Sequence, residues 1–135
     1  MSEPQRIQLS RKKGWRMPAN TVKVDRTTRW GNPFALGEPV ERGDGDLWPF
    51  IARQIPGGTE GLSSLRILSA ELAVQAFSWW ILEQPGLMLS MADELGGRNL
   101  ACWCRLPRPG EPDYCHAADL LSLVAELVKG ENDGV

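Results

Sequence analysis

Hydrophobic and polar positions alternate in two short stretches near the start of the chain, Arg6–Leu9 and Thr21–Val24, and both predict strands. Lys12-Lys13-Gly14 and Pro18-Ala19-Asn20 punctuate the chain around them. Trp30-Gly31-Asn32-Pro33-Phe34 predicts an irregular loop in which Gly31 permits an unusual φ and Pro33 keeps Asn32 extended. Residues 35–64, rich in Gly, Pro and acidic side chains, predict a long, partly irregular connection with one helical turn near Leu47–Gln54. A helix follows over Leu68–Glu83. Ser69 can cap it, Glu71 suits its N-terminal end, and Leu68, Leu72, Ala76, Trp79 and Trp80 recur at helical spacing. Pro85-Gly86 stops it, and Leu87–Leu95 predicts a shorter helical segment ended by Gly96-Gly97. The apolar run Asn99–Cys104 has the character of a buried strand. The last helix is predicted over Cys115–Lys129, with Ala117, Leu120, Leu121, Val124, Leu127 and Val128 as its apolar stripe and a frayed tail over 130–135.

Strands alternating with helices predict an α/β fold. The 135 residues fit one small single domain, with a short mixed or parallel sheet packed against two main helices. Thr21–Val24 and Asn99–Cys104 belong to that sheet. The longest apolar candidate, Leu72–Leu82, is short and is broken by Gln75 and Ser78, so no membrane partner is expected. Three cysteines are an odd number for a closed disulfide framework. With no secretory pattern at Met1–Arg6, the expected location is reducing cytoplasm.

The net charge of −2 conceals an asymmetry. Residues 1–30 carry eight basic side chains against Glu3 and Asp25, a net of +6, whereas the rest carries −8. A basic N-terminal face can meet phosphate, or can pair internally with the acidic remainder. Six tryptophans are many for this length; some belong to a core and others can stack on a planar ligand.

Cysteine and histidine converge late in the chain. In a strand, Cys102 and Cys104 share a face. The loop Arg105–Tyr114, stiffened by Pro107, Pro109 and Pro112, delivers Cys115 and His116 to the start of the last helix, where free N–H groups and the dipole favour thiolate. Three readings compete. Cys102, Cys104, Cys115 and His116 make a donor set for tetrahedral zinc. Alternatively Cys104 or Cys115 is a catalytic thiol, with His116, the one histidine, as base. Otherwise the cysteines are core packing and His116 a local hydrogen-bonding group. Asp119, one turn into the helix, is a dipole partner or a general acid/base. At the Trp-Gly-Asn-Pro-Phe loop, either Trp30 and Phe34 plug the core, or Trp30 stacks a base, Asn32 reads its edge, Gly31 shapes the turn and Arg26 or Arg29 holds a phosphate.

These motifs resemble a family of small proteins of unknown function from bacteriophages and bacteria. The likeness runs over about residues 20–129: Arg26–Phe34, the Phe77–Trp80 helix end, Leu100–Cys104 and Cys115–Leu121. It implies a loop motif at Trp30–Phe34, preceded by Arg26 or Arg29, and a thiol motif of Cys102, Trp103, Cys104, Pro107, Cys115, His116 and Asp119. The chain departs from the family pattern in a longer loop at Arg105–Tyr114, which loosens any metal geometry, and in extra sequence around Asp44–Ser64. If phage-encoded, the protein works in the cytoplasm of a bacterial host. Two functions follow. One is a nucleotide- or nucleic-acid-directed enzyme or binding protein with a Cys/His site. The other is a zinc-stabilised adaptor for a host or phage protein partner, marked by exposed Trp48 and Phe50.

Overall fold

A computed structural model describes residues 3–67 and 69–133. Its central feature is a three-stranded, wholly parallel sheet in the order β1-β5-β2, formed by β1 (Arg6–Gln8), β2 (Thr21–Lys23) and β5 (Asn99–Cys102). Of the two sequence alternatives, mixed or parallel, the sheet is therefore parallel. Leu100 pairs with Arg6 on one side and Val22 on the other. The ladder runs one step past β1 and β2 through Leu9 N–H to Cys102 O (2.9 Å) and Val24 N–H to Ala101 O (2.8 Å). Central parallel strands are covered on both faces and read as unbroken apolar runs; accordingly Leu100, Ala101 and Cys102 are all buried.

The expected connection over 35–64 holds more order than its composition implies. β3 (Pro39–Glu41) pairs antiparallel with β4 (Ser64–Arg66), and between them lies the single-turn α1 (Trp48–Ala52). Trp48, Phe50 and Ile51 are buried in the core, so Trp48 and Phe50 do not form the exposed apolar patch expected of an adaptor. Their rings are needed inside: Phe50 meets Phe34 edge-on with ring centres 6.4 Å apart.

Helix α2 (Ala70–Leu82) begins where expected. The Ser69 hydroxyl accepts from Leu72 N–H at 3.0 Å. Its buried face is Ala73, Ala76, Phe77 and Ile81, about one position round from the predicted stripe. Trp79 is 49% exposed with the Arg53 guanidinium over its ring, and Leu68 lies outside the described residues. Spacing alone admits both stripes; the face carrying Phe77 turns inward because α4 packs there. Pro85-Gly86 ends α2 but also opens α3 (Pro85–Leu95), since a proline fits a first helical turn. α4 (His116–Asp133) runs past Gly130, where a stop was expected. It lies against β5 and β1, and α2 and α3 pack against it. No helix among the described residues is long and apolar enough to cross a membrane.

The Trp-Gly-Asn-Pro-Phe loop is a rivet in this core. Trp30 and Phe34 are buried, at 3% and 0% exposure. Asn32 is buried as well: its amide donates to Ala73 O of α2 (3.1 Å) and accepts from Phe34 N–H (2.8 Å). Gly31 is required for a different reason from the one its sequence context implies. Its φ is not positive; instead a side-chain carbon there would lie 2.6 Å from Arg26 Cα and 2.7 Å from Asp25 O. Two backbone segments touch at this point, and neither can give way as a flexible side chain would. The Gly31→Ala variant should therefore lose about 1–3 kcal/mol of stability through overpacking, measurable as a lowered midpoint in urea with an unchanged slope.

Candidate metal centre

The C-terminal edge of the parallel sheet is where the Cys/His residues meet. β5 ends at Cys102, earlier than the strand expected through Cys104. Strand alternation therefore does not align the two cysteines; a bend after Cys102 does, bringing Cys104 Sγ to 3.9 Å from Cys102 Sγ. Cys115 caps α4, its carbonyl accepting from Ala118 N–H (3.0 Å), and its Sγ lies 4.0 Å from His116 Nδ1. Single donor atoms of Cys102, Cys115 and His116 all fall within 4.8 Å of one another, and all three residues are buried; Cys104 is exposed.

His116 is oriented from behind. Its Nε2 lies 2.6 Å from the carbonyl oxygen of Val24, at the end of β2, and its ring packs edge-on against Phe77. A carbonyl only accepts, so Nε2 carries the proton and donates. In the neutral ring Nδ1 is then a bare lone pair beside the thiols. Metal-binding histidines are commonly held this way, with the other ring nitrogen donating to a backbone carbonyl. The thiols also polarise one another. Hydrogen bonds from Cys104 and then Cys115 drive the Cys102 thiol far below its ordinary range, while sharing that charge pushes Cys104 and Cys115 up. Three thiols and one imidazole nitrogen match the preference of zinc for sulfur and nitrogen in tetrahedral geometry.

The loop between the cysteines is held by a residue outside the thiol motif. Arg6 is nearly buried in β1, and its guanidinium donates to Cys104 O (2.9 Å), to Arg105 O (2.5 Å) and to the carboxylate of Asp113. Two residues further along β1, Gln8 accepts from Leu106 N–H (3.2 Å). The ten residues Arg105–Tyr114 are thus fastened at both ends to the edge strand. The length of this segment loosens the site less than its sequence implies.

A cleft of about 440 Å³ opens beside the cluster. Arg26, Asn32, Cys102, Cys104, Cys115 and His116 line it, together with Asp25, Thr27, Trp103 and Tyr114, which the motif reading did not assign to ligand binding or catalysis. The loop residues divide. Arg26 reaches the cleft, its guanidinium braced on the carbonyls of Asn32 (3.0 Å) and Phe34. Arg29 instead pairs with Glu94, and its guanidinium covers the Trp30 ring. Trp30 itself is buried and offers no face on which a base can stack, and Asn32 spends both ends of its amide on backbone. Gly31 and Asp119 also stand outside the cleft lining. Burial pushes the Asp119 carboxyl up, against opposing pulls from the Ser78 hydroxyl and His116.

Trp103, not Trp30, is the tryptophan that borders the cleft. It is 37% exposed, carries the Arg11 guanidinium 4.3 Å from its ring centre, and donates its indole N–H to Asp25 Oδ2 at 2.8 Å. Burial acts to raise the Asp25 carboxyl, but hydrogen bonds from Thr27 and Trp103 and the nearby Lys23 outweigh it and hold the group low. A carboxyl lowered in the folded state contributes stability above its unfolded pKa, and that contribution fades as the pH falls through the folded value. Asp25→Asn should accordingly cost about 1.5–3 kcal/mol at neutral pH, as for hydrogen bonds to a charged group. In denaturation series the gap from the parent protein should narrow below the ordinary carboxylate range; a constant gap at all pH values would contradict the assignment.

No curated protein and no solved structure matches the chain. Over residues 7–126, nearly its whole length, the sequence matches the family described as Domain of unknown function (DUF4326), and the chain belongs to that family.

Proposed function

We propose that this protein is a nucleotide-directed domain built around a zinc centre, with zinc held by Cys102, Cys104, Cys115 and His116 and a nucleotide in the adjoining cleft. The observation that carries the reading is the His116 hydrogen bond to Val24 O, which commits Nε2 and leaves Nδ1 facing the thiols in the wall of that cleft. A histidine serving only as core filler has no need of two buried sulfurs gathered beside its ring.

The nucleotide reading draws support from position, size and lining. Open parallel sheets take ligands outside the C-terminal ends of their strands, and the cleft adjoins the ends of β2 and β5. Its volume falls in the range of small-molecule sites. Trp103 and Tyr114 supply exposed rings in its wall, and Arg26 supplies a charge suited to phosphate. In this reading Asp25, Thr27 and Asn32 are framework, since Thr27 gives its hydroxyl proton to Asp25 and the polar atoms of Asp25 and Asn32 are already engaged. The adaptor reading has lost its marker with the burial of Trp48 and Phe50. The likeness to phage and bacterial proteins accords with action in a bacterial cytoplasm.

Protein purified without chelator should contain about one zinc per chain, with thiols that react only after the metal is removed. Metal-free protein with a fast-reacting thiol would replace the zinc centre by a nucleophilic cysteine. A panel of nucleotides and short oligonucleotides should contain members that raise the melting temperature of the zinc-loaded protein. For such a ligand, Tyr114→Ala should weaken binding by about 1–3 kcal/mol, the loss of one stacked base, in isothermal titration. A panel with no stabilising member would overturn the nucleotide assignment and leave the metal centre standing.

A further inference from the structure

The four candidate ligands are not equivalent. Cys102 ends the central strand, with its carbonyl bonded to Leu9 N–H at 2.9 Å and its side chain 5% exposed. Cys115 is 1% exposed at the start of an eighteen-residue helix, its carbonyl taken up by the first turn. His116 is 5% exposed and fixed between Val24 O and the Phe77 ring. Each of these three donors is set by regular structure and by packing on several sides.

Cys104 differs in every respect. It lies beyond the end of β5, at the head of the irregular loop, and it is exposed. Its backbone is tied through one carbonyl to Arg6, and its sulfur lies 3.9 Å from Cys102 with the Cys115 thiol also close enough to interact. The tight group with mutual spacing below 4.8 Å consists of Cys102, Cys115 and His116, without Cys104. Cys104 also borders the cleft in company with Trp103 and Tyr114.

Resting on the zinc reading above, we infer that Cys102, Cys115 and His116 form the permanent ligand set and that Cys104 is an exchangeable fourth ligand. An anionic donor entering through the cleft takes its place. Three protein ligands with a fourth position accessible to a ligand are the mark of catalytic rather than structural zinc sites. In the exchange the metal–sulfur bond to Cys104 breaks and a bond to the incoming anion forms. One monoanion replaces another, so charge at the metal is conserved, and the freed thiolate takes a proton from solvent. The ligand class is thus a small or nucleotide-borne anion able to reach the metal, bound beside the aromatic wall.

Cobalt(II) replaces zinc in such sites and reports its ligands by absorption, with thiolate charge transfer in the near ultraviolet and ligand-field bands in the visible. The full chain should bind one cobalt ion per molecule with the spectrum of a tetrahedral, thiolate-rich centre. Cys104→Ala and Cys104→Ser should retain cobalt within about tenfold of the parent affinity, whereas Cys102→Ala and Cys115→Ala should lose more than about 100-fold. Azide, as the probe anion, should saturably shift the visible bands of both the parent and Cys104→Ala. In the parent alone it should also reduce the charge-transfer intensity as the thiolate leaves. Equal loss of affinity from Cys104 and Cys102 substitution, or a spectrum indifferent to azide, would make the site closed and structural and overturn the inference, with the zinc reading intact. Failure of the parent chain to bind cobalt or zinc at all would overturn both. Circular dichroism of the Cys104 variants separates metal loss from unfolding, and Cys104→Ser provides the near-isosteric control.

Discussion

The hydrogen bond between His116 and the carbonyl of Val24 joins parts of the chain that are far apart in sequence, and much of the arrangement at this end of the molecule depends on it. It fixes the start of α4 against the end of β2 and selects which imidazole nitrogen faces the sulfurs. The choice of acceptor matters: a backbone carbonyl cannot rotate away or change its protonation, so the ring is held by the sheet itself. Phe77 closes the remaining side of the ring, which makes α2 a contributor to the site although none of its residues is a candidate ligand.

Arg6 performs a comparable task on the other edge of the sheet. Burying a guanidinium is costly unless its donors are matched, and here carbonyls of the bend and one carboxylate match them. The result is a loop rich in proline and poor in regular structure that nonetheless presents Cys115 at a definite place. Charges that make the N-terminal segment look like a surface for phosphate are thus divided between duties. Arg6 and Arg29 are engaged with acidic partners of the same chain, Arg11 rests on Trp103, and Arg26 borders the cleft.

Much of the architecture was legible from patterning because the relevant signals are local. Ser69 and its helix, the apolar run into Cys102, the stripe on α4 and the turn near Trp48 all announce themselves within a few residues. What patterning could not give is direction and depth. The sequence offers Trp30 either as a core plug or as a stacking platform, and burial, a property of the whole fold, puts it in the core while leaving Trp103 partly exposed. The inward face of α2 turned on which neighbour packs there. Gly31 shows the same limit at one residue: its need for a missing side chain comes from the backbone of Asp25 and Arg26, a contact that no inspection of the motif reveals. The gathering of the cysteines was foreseen for a partly mistaken reason, since a bend rather than strand alternation brings Cys102 and Cys104 together.

The strand order has a consequence for how the molecule comes into being. β1 and β2 each pair with β5 and lie on opposite sides of it, so the sheet has no middle until Asn99–Cys102 has been made. On the ribosome both early strands wait as unpaired edges while the hairpin and the first helices are synthesised. Contacts so distant in sequence carry a high loop-closure entropy and slow folding. Sheet and cysteine cluster are therefore completed together, only once β5 and the start of α4 have been made, and the nascent chain remains vulnerable through its exposed edges until then.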